Sequence, residues 1–155
     1  MKAITLYQPY ATLMAIGAKT FETRSWKTNY TGQIAVHAAK TFPAWCKDLF
    51  RTEPFHSMLV QYGHETLESL PRGVILSIHV LKRCYATPMV AGQTKLYTRG
   101  ARALDKEIRI PPPWPESACG DYGPGRYAWH MPLIERLEPP QAARGKQGLW
   151  NWPRT

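Results

Sequence analysis

No segment of this chain is apolar for long enough to span a bilayer, which excludes a transmembrane helix. The opening Met1-Lys2-Ala3-Ile4-Thr5-Leu6-Tyr7-Gln8 holds no extended apolar core ahead of a small-residue cleavage site, so the expected location is cytoplasmic and no membrane partner is expected. Cysteine is scarce. Cys46, Cys84 and Cys119 are widely separated and odd in number, which fits reduced thiols better than a disulfide framework. His37, His56, His64, His79 and His130 lack the close spacing of metal-ligand motifs, so neither a metal nor another cofactor is expected. Negative charge is short as well: 11 carboxylates face 20 Lys and Arg residues, a formal net charge of +9. A positive field raises the local concentration of phosphate-bearing ligands and points to polyanionic partners.

What the chain does have suffices for a folded core. Its 155 residues, 44% hydrophobic with 6 Trp, 8 Tyr and 4 Phe, fit a single domain over 1–155 that needs no covalent staple. Residues 2–6 alternate, with Ile4 and Leu6 on one face, and read as a strand. Pro9 suits a first helical position; Tyr10, Leu13 and Met14 follow at helical spacing, and Gly17 ends the helix. Residues 33–39 read as a strand with Ile34, Val36 and Ala38 on one face and His37 on the other. Pro43 opens a second helix whose Trp45, Leu49 and Phe50 should face the core, and Phe55, Met58, Leu59 and Tyr62 suggest another before Gly63.

Leu70-Pro71-Arg72-Gly73 is a turn, and the strand over 74–81 places Leu76, Ile78 and Val80 against Ser77 and His79. From 86 to 114 no period is sustained, and Pro111-Pro112-Pro113-Trp114-Pro115 must be extended. Residues 120–125 form a turn. Over 126–131, Tyr127, Trp129 and Met131 alternate with Ala128 and His130, and 133–137 reads as a continuation of that strand. Trp150 and Trp152 should pack the glycine-punctuated tail onto the body. The order of elements predicts an α+β domain around a curved sheet or small barrel.

Two stretches are candidates for binding. Between 82 and 109, Lys82, Arg83, Lys95, Arg99, Arg102, Lys106 and Arg109 are opposed only by Asp105 and Glu107, which suits either phosphate contact or a solvated basic loop. The second is Gly17-Ala18-Lys19-Thr20-Phe21-Glu22-Thr23-Arg24-Ser25-Trp26. A Gly at the helix end directs the exit of the chain, and an extended 21–26 puts Glu22 and Arg24 on one face, within reach of Lys19. A surface ion pair is the plain alternative.

Taken in order, Tyr7-Gln8-Pro9-Tyr10, Gly17-x-Lys19-x-x-Glu22-x-Arg24-Ser25-Trp26, Val36-His37-Ala38-Ala39, Leu70-Pro71-x-Gly73 and Gly120-Asp121-Tyr122-x-x-Gly125-Arg126-Tyr127-Ala128-Trp129 resemble an ASCH domain over nearly the whole chain. The resemblance implies a PUA-like mixed β-barrel flanked by helices, with a cleft lined by the signature residues. It also implies RNA or nucleotide binding, with hydrolase activity in some members.

The residue chemistry agrees with such a ligand. Lys19 and Arg24 donate to phosphate or base acceptors, Arg with a planar fork; Glu22 accepts from an exocyclic amine or orients the cations. Tyr10 and Trp26 either stack a base or pack the core. Gln8, Ser25, Lys40, Asp121 and Arg126 complete the candidate binding set, with Asp121 alternatively capping its own turn. A metal-independent ribonuclease would draw a base, an acid and cationic stabilisation from Lys19, Glu22, Arg24, His37 and Lys40, although a lone strand histidine such as His37 is more often structural.

Amidohydrolases that resemble this family use a Lys, a Thr three residues later and a distant Glu. Here Glu22 stands at the Thr position, and 74–81 holds His79 and no acid, so that chemistry is not expected. The expected ligand is RNA, another single-stranded nucleic acid or a nucleotide-sized anion; a protein-interaction module of transcription or translation is the remaining class.

Overall fold

Ten strands, three short helices and two 3-10 turns make up a computed structural model of the chain, which describes residues 1–98 and 107–154. Strand β1 (Lys2–Leu6) leads through helix α1 (Tyr10–Ala15) to β2 (Phe21–Arg24) and β3 (Gly32–Ala38). Helices α2 (Ala44–Phe50) and α3 (Phe55–Val60) precede β4 (Val74–Leu81) and β5 (Arg83–Ala86). The remaining strands are β6 (Lys95–Tyr97), β7 (Ile108–Ile110), β8 (Tyr127–His130), β9 (Leu133–Ala142) and β10 (Leu149–Asn151). Of the basic 82–109 stretch, Arg99, Arg102, Asp105 and Lys106 lie outside the described residues.

The strands form a five-stranded sheet in the order β10-β1-β3-β4-β9, a three-stranded sheet β2-β8-β5 and a hairpin β6-β7. This is an α+β protein with a mostly β core. Among the described residues the sheets do not close into a barrel: the large sheet ends at β10 and β9, and the small one at β2 and β5. Contact between the sheets is made by side chains. Ile4, Leu6, Ile34, Val36, Ala38, Leu76 and Leu81 of the large sheet pack with Met14 of α1 and with Trp129 and Met131.

Local sequence explains much of this. Gly17 takes φ +75°, a backbone open to glycine at little cost, and lets the Lys19 N–H donate to the Leu13 carbonyl at 3.0 Å. Gln8 is fully buried; its Oε1 accepts from the Thr12 N–H at 3.1 Å, in the first turn of α1, while its Nε2 donates to the Pro71 carbonyl at 2.6 Å.

Three expectations change. Trp45 is exposed, because α2 turns Cys46 inward alongside the expected Phe50, and α3 ends at Val60, short of the exposed Tyr62. Strand β9 does not continue β8: after Pro132 the chain crosses to the large sheet and pairs with β4. Strand β4 does not keep a simple alternation. Its pairing slips between Ile75 and Ser77 and again between Ile78 and His79, so Leu76 and Leu81 face the inter-sheet core while Ile75 and Ile78 face Trp150 and Trp152. Both faces of the large sheet thus carry buried apolar clusters.

Candidate functional site

Strand β2 presents its charged residues as the alternation requires. Phe21 enters a cluster with Tyr85, Ile110 and Ala128, while Glu22 and Arg24 share the opposite side. The Glu22 carboxylate bridges two cations, with Oε2 3.5 Å from Lys19 Nζ and Oε1 3.2 Å from Arg24 Nε. Lys19 is only 1% exposed. Its Nζ donates to the Cys119 carbonyl at 2.7 Å and lies 5.6 Å from the Tyr10 ring centre. Arg24 is the outer member of the row; its Nη2 donates to the Thr5 carbonyl at 3.1 Å. The row runs from a buried ammonium through a shared carboxylate to a guanidinium at the surface.

That guanidinium opens onto a cleft of about 1310 Å³. Strand β1 contributes Thr5 and Tyr7, β3 and the segment after it contribute His37, Lys40 and Thr41, and the turn before β4 contributes Arg72 and Gly73. Residues 142–148 form the remaining wall and bring Arg144 and Lys146. Five cations, Arg24, Lys40, Arg72, Arg144 and Lys146, therefore line one cavity whose described lining holds no carboxylate. Trp26, on the same lining, is braced edge-to-face against buried Trp129, with ring centres 4.6 Å apart.

Of the residues singled out from sequence, Arg24, Trp26, His37 and Lys40 line the cleft. Lys19 and Glu22 stand behind Arg24. Gln8 is held in the packing at the start of α1, and Tyr10 packs edge-to-face on Phe55. Burial, then the charge of Glu22, pushes the Tyr10 hydroxyl up to about 12. Ser25 is exposed but is not in the lining. Asp121 and Arg126 pair with each other at 3.2 Å, away from that lining, and Asp121 Oδ1 also accepts the Gly123 N–H at 3.0 Å, so it caps its own turn.

His37 is buried. Its Nε2 lies 3.0 Å from the Ala143 carbonyl, its ring meets Trp150 edge-on, and desolvation holds its pKa below the ordinary value against the opposing effect of the Ala143 bond. The carbonyl can only accept, so Nε2 carries the proton. Burial also raises the thiols, Cys46 and Cys119 to about 11 each, which leaves them protonated and poor nucleophiles. Among the described residues no group of three or more His, Cys, Asp or Glu side chains is placed to hold a metal ion.

Sequence reasoning missed Thr5, Tyr7, Arg72, Arg144 and Lys146. Arg72 is legible only as part of a turn, and the glycines flanking Lys146 mark a loop without saying what it covers.

The cleft joins the two ends of the chain around the Gly-x-Lys-x-x-Glu-x-Arg row, and the ASCH domain family model matches residues 4–141. The chain belongs to the ASCH domain family. Comparison with curated proteins gives no match. Membership is consistent with a nucleic-acid-binding or RNA-related domain. The match stops at residue 141, so the wall carrying Arg144 and Lys146 lies beyond it. No helix among the described residues is long and apolar enough to cross a membrane.

Proposed function

We propose that this ASCH protein acts as a single PUA-like domain in the cytoplasm and binds RNA in the cleft between β1, β3 and residues 142–148. One observation carries the reading: five cations converge on a cavity whose described lining contains no carboxylate, with Tyr7 and Trp26 beside them. Such a surface neutralises several phosphates at once, and its aromatic members suit an unpaired base. Arg24 is the residue through which the signature row meets the ligand. Glu22 aims it, and Lys19 holds Glu22 from within.

Recognition without turnover fits the geometry better than a ribonuclease. The His37 ring is buried with Nε2 engaged, and the Lys19 ammonium is committed to the Cys119 carbonyl and Glu22. The threonine-dependent amidohydrolase reading lacks its nucleophile, since Glu22 occupies that place and bridges two cations.

The test is titration of a labelled single-stranded RNA at increasing salt, with wild type and an Arg72→Ala/Arg144→Ala double variant. Salt-sensitive binding that the double variant loses, with the RNA left intact, is the expected result. Equal binding by the variant would remove the cleft from the argument; cleavage abolished by Lys19→Ala and indifferent to chelator would replace recognition by catalysis.

A further inference from the structure

The aromatic surface of the cleft extends past its lining. Tyr7 forms part of the wall and is 43% exposed; it meets Trp45 edge-to-face, ring centres 5.7 Å apart and planes at 81°. Trp45 is itself 50% exposed, on a helix that buries Cys46 and Phe50. Core packing therefore does not account for it. Lys40 and Thr41, in the segment that joins β3 to α2, line the cleft, so the ring pair stands at the rim beside two lining residues. A tryptophan at that position, steadied by a second ring, exposes flat apolar surface where a strand leaving the cleft would pass.

We propose that Tyr7 and Trp45 form a stacking platform for an unpaired nucleobase, and that the ligand is a single-stranded oligonucleotide whose neighbouring phosphates lie among Lys40, Arg72 and Arg144. The inference rests on the reading of the cleft given above and adds the length and strandedness of what binds there. Every base has a π face, so the platform holds a base with little preference for its identity. The edge-to-face contact with Tyr7 orders the indole in advance, which lowers the entropy cost of binding. A duplex keeps the faces of its bases inside its own stack and has none to offer. A mononucleotide has one phosphate and one base, so it cannot span the cations and fill the platform at once.

The experiment compares a single-stranded hexaribonucleotide, a duplex of the same sequence and a mononucleotide. Each is titrated into wild type, Trp45→Ala, Trp45→Leu, Trp45→Phe and the Arg72→Ala/Arg144→Ala protein, with denaturation midpoints recorded alongside. Trp45→Leu keeps an apolar contact with Tyr7 but removes the π face, so it serves if the alanine variant fails to fold. Trp45→Leu should weaken hexanucleotide binding about 5- to 150-fold, the range of one base stack. Mononucleotide affinity should stay within about twofold, as a site without the stacked base requires. Trp45→Phe should recover most of the loss, and wild type should favour the single strand over the duplex. Hexanucleotide binding that survives Trp45→Leu but is lost in the arginine double variant would overturn the platform and leave the cleft standing. Equal weakening of hexanucleotide and mononucleotide would also overturn it. Hexanucleotide binding indifferent to the double variant would instead sink the cleft, and the platform with it.

Discussion

Gly145 lies so close to His37 that a Cβ at this position would fall 2.5 Å from Cε1 and 2.6 Å from Nδ1 of the imidazole, and 2.9 Å from Thr5 Oγ1. The ring cannot retreat easily, since Trp150 meets it edge-on and the Ala143 carbonyl holds its Nε2. Gly145→Ala must therefore lift residues 142–148 from the sheet, at a cost of about 1–3 kcal/mol, the usual penalty of overpacking. Urea denaturation should give a lower midpoint, and RNA affinity should fall with it as Arg144 and Lys146 shift. An unchanged midpoint would mean that the segment is loosely seated.

Lys19→Met separates support from contact. Removing a buried ammonium strands the Cys119 carbonyl and leaves Glu22 with Arg24 alone, a loss of about 3 kcal/mol for a broken buried pair. RNA affinity measured where the variant is still folded should stay within about threefold of wild type, because Lys19 is not among the residues that line the cleft. A far larger drop in affinity with no loss of stability would make Lys19 a ligand contact.

Glu116 clamps the start of β2. Its carboxylate accepts from the backbone N–H groups of Thr20 and Phe21 and from the Thr20 hydroxyl. Glu116→Ala should destabilise the fold by about 2–3 kcal/mol, the worth of charge-assisted bonds to partly buried donors. Amide exchange checks the location of the effect, with Thr20 and Phe21 expected to lose protection first.

Stability should rise with pH through the histidine range. Burial lowers the His79 pKa from 6.5 to about 4, and desolvation moves His37 and His64 in the same direction. Between about pH 4 and 6.5 the unfolded chain binds more protons than the folded one, so acidification favours unfolding. The full contribution of His79, about 3 kcal/mol, is present above its unfolded pKa and is lost as pH falls towards its folded one. Denaturant midpoints at pH 7 and pH 4.5 measure the slope. His79→Gln, which can still meet Ser77 Oγ or the Met131 carbonyl, should flatten it.

Binding should weaken with salt in steps that can be assigned. Each phosphate neutralised on a single strand contributes about 0.7 to the slope of log affinity against log salt, so removing any one of Lys40, Arg72, Arg144 or Lys146 should reduce the slope by up to that amount. A slope indifferent to all four would place the polyanion elsewhere.

Much of the scaffold was legible because it obeys local rules. Strands β1 and β3 alternate cleanly, α1 starts after a proline and stops at a glycine with positive φ, and the tail tryptophans do pack on the large sheet. The spacing of Glu22 and Arg24 likewise predicted a shared face, and their ion pair is there. Burial was harder to read. Lys19 has the composition of a surface residue, and only the fold supplies the Cys119 carbonyl and the carboxylate that satisfy it inside. On α2, Trp45 and Cys46 are adjacent, and a rotation of one residue decides which of them is buried. The slips along β4 come from its partners β3 and β9, which no local pattern reports. Arg144 and Lys146 reach the cleft because their segment is tied at one end by β9 to β4 and at the other by β10 to β1, pairings between distant parts of the sequence.

The wall formed by residues 142–148 also makes the cleft depend on segments far apart in sequence. Thr5 and Tyr7 come from β1 and its end, and the wall that faces them is strung between β9, which pairs with β4, and β10, which pairs with β1. A chain cut after residue 141 would keep the family-matched region but lose Arg144 and Lys146 from the lining. The cleft is therefore a property of the large sheet as a whole and not of the signature motif alone, because the wall that carries Arg144 and Lys146 is supplied by chain outside the family match.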